Sequence, residues 1–463
     1  MVPEHLVGGL IYSNLVKLKQ DMAPEPDLAE SWSSNPELTE WTFKLRPGVR
    51  FHDGSPCTAK DVAASFEAML NPKMASTART ALGALKEVVV VDDTTVVMKL
   101  GAPSADFPVA VAYTTARIIP EAIAKGDYAR LSREGIGTGP FKLVSFEPDR
   151  LVVVERNPNY FIPDQPYLAR IEIRVYPDNA AETSALIAGD NDLMVTVSQS
   201  EFGRLSKTSG VTAIQKPSGR FLNVNMRCDQ KPFDDVRVRK ALSLAVDREA
   251  LVGFIAHGLG QTGADTPLNP SYYYYKQLPL KKADMAAAKK LLAEAGYPDG
   301  LDVTLVASEN PGTRAQLAIA MREMARPAGF RINVQTMPHA AYLDQVWKKG
   351  SFYVGSYAAQ ATADQIFSQL YTSDSAWNET RWNNADFDKL VAEARAVSDE
   401  GRRRELYARA QDLMSEQVPS VIPIFFDLLA GHRNYVKGYE HHPTGAMFRF
   451  ERVWLDQGAP KRG

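Results

Sequence analysis

Cysteine is almost absent from this chain: Cys57 and Cys228 are the only two in 463 residues. A disulfide-stapled fold is therefore excluded, and because the two fall in different predicted domains a bridge between them is not expected. Histidine is scarce as well, with seven in all. The one adjacent pair, His441-His442, would point to opposite faces of a strand, so a chelated metal is not expected, nor any cofactor. Charge of one sign is missing too. The 53 basic and 55 acidic residues nearly cancel, which leaves no electrostatic case for nucleic acid or an anionic membrane as a partner. No apolar run reaches the roughly 18 residues a membrane span needs. There is no GxSxG, HExxH, Walker loop or CxxC, so the common hydrolase, metalloprotease, nucleotide and redox signatures are all lacking. Met1-Val2-Pro3-Glu4-His5 has neither the basic region nor the apolar core of a signal peptide. A cytosolic protein is one reading of that, and a mature or trimmed chain is the other.

A chain of 463 residues is too long for a single hydrophobic core, and two or three lobes are expected. The most informative stretch runs from Leu28 to Leu70. Trp41-Thr42-Phe43-Lys44-Leu45 alternates apolar and polar as a half-buried strand does. Pro47-Gly48 and Asp53-Gly54 are turn signals. Thr58, three residues before Asp61, reads as a helix N-cap with an acid in the first turn. Further strands are expected near 86–91 and 95–100 and a helix near 120–126. Gly135 to Phe141 is a glycine-rich connector. It could pose as a phosphate loop, but it lacks the lysine and the spacing, and a backbone turn is the better reading. A hairpin follows around Pro148-Asp149, then a strand over 171–176, a helix over about 179–188 and a short strand at 193–195.

Gly219 to Asn225 alternates strongly and is placed as the first chain crossing between lobes. Beyond it, Asp235 and Asp284 read as helix N-caps, and Gly296 with Pro298 as a helix stop. Residues 301–308, 313–328, 331–337, 340–349 and 351–358 then read as βαβαβ, which implies a parallel, helix-covered sheet. Helices over 387–396 and 401–416 follow. The apolar strand 422–426 is a candidate for the return crossing, with residues from about 433 rejoining the first lobe.

Several of these segments together resemble the large solute-binding proteins of ABC importers, the peptide/nickel-type family 5, also called cluster C. The resemblance is carried by Leu28-Ala29-Glu30-Ser31-Trp32, Thr42-Phe43-Lys44-Leu45-Arg46, Phe51-His52-Asp53-Gly54, the GTGPF and RNPNYF runs up to Phe161, residues 233–252, 288–305 and 418–426. It implies an α/β fold of the periplasmic-binding-protein type II kind: two lobes joined by two crossing segments, with an extra α+β domain inserted in the first. The boundaries expected are 1–35, 140–218 and 433–463 for lobe I, 36–139 for the insert and 219–432 for lobe II. The resemblance further implies a periplasmic monomer without catalytic residues. Such a protein captures a small solute between its lobes and delivers it by hinge closure to an inner-membrane ABC permease with its ATPase. Family members usually carry a signal and an opening strand ahead of the segment resembling Leu10–Leu15, so both are expected to be missing here.

The expected site follows from the same frame. In open α/β sheets ligands sit beyond the carboxyl ends of strands, which directs attention to the loop after 351–358. The family often has WxxDxxDPDxxF there, with an acidic residue that pairs with the α-ammonium of a peptide. Here Tyr357 or Ser356 replaces the tryptophan, and Ala359 or Gln360 the aspartate, which puts recognition of a free α-amine in doubt. Gln360, Thr362 and Asp364 are candidates in this loop, Asp364 being read either as the N-cap of a helix over 365–371 or as a ligand contact. Trp377 and Asn378, within the aromatic and amide-rich run Asp374–Trp382, offer a flat wall and a donor–acceptor pair. Arg220 and Asn223 lie on the crossing strand, where an arginine can fork onto a carboxylate or form a structural ion pair. Tyr273 stands for the Tyr272–Tyr275 run, of which one or two can lid the site. A peptide or peptide-like, amino-acid-derived solute is the leading ligand class. A non-peptide solute such as an opine, sugar conjugate, metal chelate or haem is the alternative, and an enzyme on a two-lobed fold is a more distant one.

Overall fold

The computed structural model describes residues 2–131 and 133–460. The chain divides into two units: one made of Met1–Gln215 with Leu428–Gly463, the other of Lys216–Asp427. Each junction lies inside one unbroken strand, β1 (Val211–Met226) at the first and, at the second, Ser420–Arg433, the last strand of the chain's main sheet.

In the first unit, a four-stranded antiparallel sheet runs in the order Ala29–Ser34, Glu40–Leu45, Thr95–Leu100, Leu85–Asp92. The helix Ala59–Leu70 begins in a full capping box, with Thr58 accepting from the first turn and Asp61 reaching back to the Thr58 N–H at 2.8 Å. The expected helix near 120–126 shrinks to one turn, Glu121–Ala124. A helix over Val2–Ile11, which the sequence reading did not anticipate, packs beside the glycine-rich connector. A Cβ on Gly137 would lie 2.1 Å from the Ile11 carbonyl oxygen, and one on Gly139 would lie 2.5 Å from the Ile11 carbonyl carbon. The GTGPF glycines are thus there for close backbone packing. The C-terminal segment is held by Lys17, whose ammonium bridges Asp27 at 3.2 Å and Glu451 at 3.4 Å.

The other long strands of the main sheet are β2 (Leu301–Ser308), β3 (Phe330–Met337) and β4 (Phe352–Tyr357) in the second unit, with Ser420–Arg433 as β5, to which the short strands Leu193–Met194 and Gly260–Thr262 also pair. The order is β5-β1-β4-β2-β3. β2 pairs parallel with both β3 and β4, and β1 runs antiparallel to β4. Helices α1 (Thr313–Ala325) and α2 (His339–Gln345) are the crossovers, as the βαβαβ pattern requires. Alternation along β1 and β4 divides their two faces. Leu222, Val224, Met226, Phe352 and Val354 enter the apolar core with Leu317 and Met321 of α1. Phe221, Asn223 and Asn225 stand opposite Tyr357, Gly355 and Tyr353 and make the other face. Cys57 and Cys228 are free thiols in different units. Among the described residues, no helix is long and apolar enough to cross a membrane.

Candidate functional site

The polar face of β1 and β4 carries a ladder of side chains that ends on a buried carboxylate. Asn223 Nδ2 donates to Asn225 Oδ1 at 2.7 Å, and Asn225 Nδ2 donates in turn to Glu379. Glu379 also accepts from Trp347 Nε1 at 2.8 Å and from the Tyr357 hydroxyl. Gly355 makes room for this ladder, since a Cβ there would fall 2.5 Å from Asn223 Oδ1 and 2.8 Å from Asn225 Nδ2. Glu379 is only 4% exposed. Burial pushes its carboxyl above the ordinary carboxylate range, and the hydrogen bonds from Tyr357, Tyr353 and Trp347 pull against that shift without cancelling it.

The loop presenting Glu379 is pinned by its neighbour. Asn378 Nδ2 donates to the carbonyls of Thr372 at 3.2 Å and Trp382 at 2.9 Å, while its Oδ1 accepts from Thr380 Oγ1 at 3.0 Å. With every strong group of Asn378 used inside the loop, Trp377 and Glu379 are held on either side of it. Trp377 meets Trp347 edge to face, with centroids 5.2 Å apart. The Lys348 ammonium lies 4.3 Å from the Trp377 ring and 4.6 Å from the Trp347 ring, a double cation–π contact. Lys348 sits at φ +63°, a backbone region that non-glycine residues rarely adopt, and its N–H donates to the Tyr353 hydroxyl at 3.1 Å.

Three of the candidate residues therefore meet at one place: Asn223 and Tyr357 on the sheet and Trp377 on the loop. Asn378 sits beside them with its side chain spent inside the loop, and the others lie apart. Thr362 caps α3 (Ala363–Leu370), accepting from Gln365 N–H at 3.0 Å. Asp364 is consequently not the helix N-cap; its carboxylate pairs with Arg395 at 3.0 Å. Thr362 wins the cap because the helix starts two residues earlier than the spacing suggested. Gln360 is half-buried, and its N–H donates to the hydroxyl of buried Tyr272. Tyr273 is exposed, donates to Glu400 at 2.9 Å and lies beneath the Arg404 guanidinium. Arg220 is exposed midway along β1, its guanidinium 5.1 Å from the Phe426 ring centroid.

Sequence reasoning missed Glu379, Trp347, Lys348 and Arg314. Glu379 fell inside the run singled out for its aromatics, but a lone glutamate between Asn378 and Thr380 carries no local mark of burial. Its burial is created by β1 and β4, distant in sequence. The one serine–histidine pair at this end of the sheet is not a nucleophile and base. Ser308 Oγ donates its only proton to the Asn310 carbonyl at 2.7 Å, so none is left for His339 Nδ1, 3.0 Å away. What the cluster offers is fixed aromatic walls, amide dipoles and a cation beside the antiparallel β1–β4 pair of a mixed sheet, which is the makeup of a binding surface.

A family model for bacterial extracellular solute-binding proteins, family 5, matches residues 23–379. The chain belongs to that family, and its fold is the type II periplasmic-binding-protein architecture. Heme-binding protein A of Haemophilus influenzae is 29% identical, over 94% of this chain and 85% of its own length. The glutathione-binding protein GsiB of Shigella boydii is 29% identical, over 96% of this chain and 88% of its own. Among solved structures, the PBP AgaA in complex with agropinic acid, from A. tumefaciens R10, superposes with a TM-score of 0.80. It is 25% identical and the match covers 98% of this chain and 94% of AgaA.

Proposed function

We propose that this protein captures a peptide or peptide-like, amino-acid-derived solute outside the cytoplasm and hands it to an ABC permease and its ATPase, and that the Glu379 cluster forms part of the solute site. The observation that carries the reading is the assembly of Asn223, Asn225, Tyr357, Trp347 and Trp377 around one buried carboxylate. A hydrogen-bond hub of this kind fixes the ring planes before a ligand arrives, which lowers the entropic cost of binding. Trp377 and Tyr357 then serve as flat walls against the solute, Lys348 as a cation set between indoles, and Arg220 as a fork for a carboxylate. The relatives support a solute of this size and character, since one is named for glutathione, itself a tripeptide, and a solved relative holds agropinic acid. The relative named for haem keeps a larger, non-peptide solute as the second reading.

Mass spectrometry of the purified protein, native and then denatured, is the direct test. A released mass fitting a peptide or amino-acid conjugate supports the proposal. A released porphyrin or metal chelate replaces it with the second reading. For the site, Trp377→Ala and Arg220→Ala are each expected to weaken binding of the identified solute with the fold intact, and unchanged calorimetric affinity in both refutes the assignment.

A further inference from the structure

One ammonium in the second unit is held by rings alone. Lys348 follows α2, and its Nζ lies 4.6 Å from the Trp347 ring centroid and 4.3 Å from that of Trp377. The two indoles meet at 75° with centroids 5.2 Å apart, so they form a corner, and the ammonium sits against both walls. The neighbouring Lys349 lies 3.9 Å from Asp344, whereas among the described residues Lys348 pairs with no carboxylate. Lysine usually carries its charged head into water; here the head rests on two aromatic faces. The acids of the cluster and of the loop after β4 are already spent. Glu379 has both oxygens engaged by Asn225, Trp347 and Tyr357, and Asp364 is paired with Arg395.

Both walls of the corner are fixed from behind. Trp347 Nε1 donates to Glu379 at 2.8 Å, which locks the ring; the carboxyl partner also polarises the indole and enriches the face that a cation meets. Trp377 is carried by the loop that Asn378 pins from inside. Lys348 is itself constrained, at φ +63° with its N–H on the Tyr353 hydroxyl at 3.1 Å. A backbone conformation of this kind persists only where the surroundings over-determine it. Trp347, Lys348 and Trp377 are all half-buried, so solvent reaches the corner.

We propose that the Trp347–Trp377 corner receives a tertiary or quaternary ammonium group of the solute, and that Lys348 is the tethered occupant which that group displaces. This rests on the solute-binding reading above and narrows it to solutes with an alkylated amine. A primary ammonium brings three N–H donors that the corner cannot answer, because its carboxylates are spent. A trimethylated one brings no donor, and two indole faces meet its charge. Lys348 competes from within the chain at an effective concentration on the order of millimolar, a threshold the entering group must exceed.

A pool of defined tripeptides, each made with a trimethylated, a free and an acetylated amino terminus, tests this by native mass spectrometry of the whole chain. Lys348→Gly empties the corner, and glycine takes the positive φ without strain. This variant is expected to retain trimethylated peptides over acetylated ones by about tenfold or more, well above the wild-type ratio, and over free amines by about fivefold. Trp377→Leu, added to it, is expected to bring both ratios toward one. Ratios in Lys348→Gly no higher than in the wild type overturn the proposal. So does a gain that survives Trp377→Leu, since loss of one positive charge then accounts for it. Equal retention of trimethylated and free amines by Lys348→Gly overturns it as well, and this comparison keeps the test decisive if Trp377→Leu fails to fold. Each of these results leaves the solute-binding reading standing. Retention of no peptide form by either the wild type or Lys348→Gly overturns the peptide-class reading and this proposal together.

Discussion

Removing the Glu379 carboxylate should loosen the second unit by an amount the local geometry sets. In Glu379→Ala three donors lose their acceptor. Asn225 is 1% exposed, so its amide has no access to water and bears the full penalty of an unpaired buried donor, about 2 kcal/mol. Trp347 and Tyr357 are half-buried and regain hydrogen bonds from solvent, at a cost of roughly 0.5 kcal/mol each. The sum is about 3 kcal/mol, and it falls on the strand pair β1–β4. Hydrogen exchange of the amides in residues 352–357 reads that local opening directly and avoids assuming two-state unfolding of a two-unit chain. Adding Asn225→Ala removes that stranded donor but leaves buried Asn223 Nδ2 without its acceptor, so the double variant should cost about as much as Glu379→Ala alone, about 3 kcal/mol. A loss below about 1 kcal/mol in the single variant, or strict additivity in the double, would refute the hub assignment. The pH dependence gives an independent check. Burial raises the folded-state pKa of Glu379, so this group favours the folded state most below its unfolded value of about 4.3 and loses that contribution as pH rises through the folded value. Glu379→Gln does not titrate, so its stability relative to wild type should improve as pH rises across that window, and a difference independent of pH would count against the raised value.

Further outcomes follow from other parts of the molecule. Gly355→Ala should displace the Asn223–Asn225 ladder, lowering stability by about 1–3 kcal/mol and weakening solute binding together, measurable by thermal melting and calorimetry. Asp265 is buried against Arg248 at 3.0 Å and Lys281 at 2.8 Å. Burial alone would raise its pKa, but the two cations override that and hold it at about 2. Its stabilisation is thus present above about pH 4 and lost as pH falls toward 2. Asp265→Asn should cost about 3–5 kcal/mol at neutral pH and flatten the acid side of the stability profile, followed by circular dichroism. Thr58→Ala should cost about 1 kcal/mol through loss of the capping box, seen as faster exchange in the first turn of the helix Ala59–Leu70.

The fold was legible in the sequence to a large extent, because its signals are local. The caps at Thr58, Asp235 and Asp284, the βαβαβ periodicity over 301–358 and the family motifs around Leu28–Leu70 each depend on residues a few positions apart, and chain geometry turns such spacing into helices and strands. The site was legible only in fragments. Trp377, Tyr357 and Asn223 could be singled out by residue type and place, but their common partner could not. Glu379, Trp347, Lys348 and Arg314 come from two different loops and a helix start, and nothing in their immediate sequence separates a buried hub glutamate from a solvated one. Residue order determined which elements form and which face of each is apolar. Only the tertiary structure decided which polar groups share a face, because burial, and with it the strength of every hydrogen bond and charge at Glu379, arises from strands that meet across more than a hundred residues of chain.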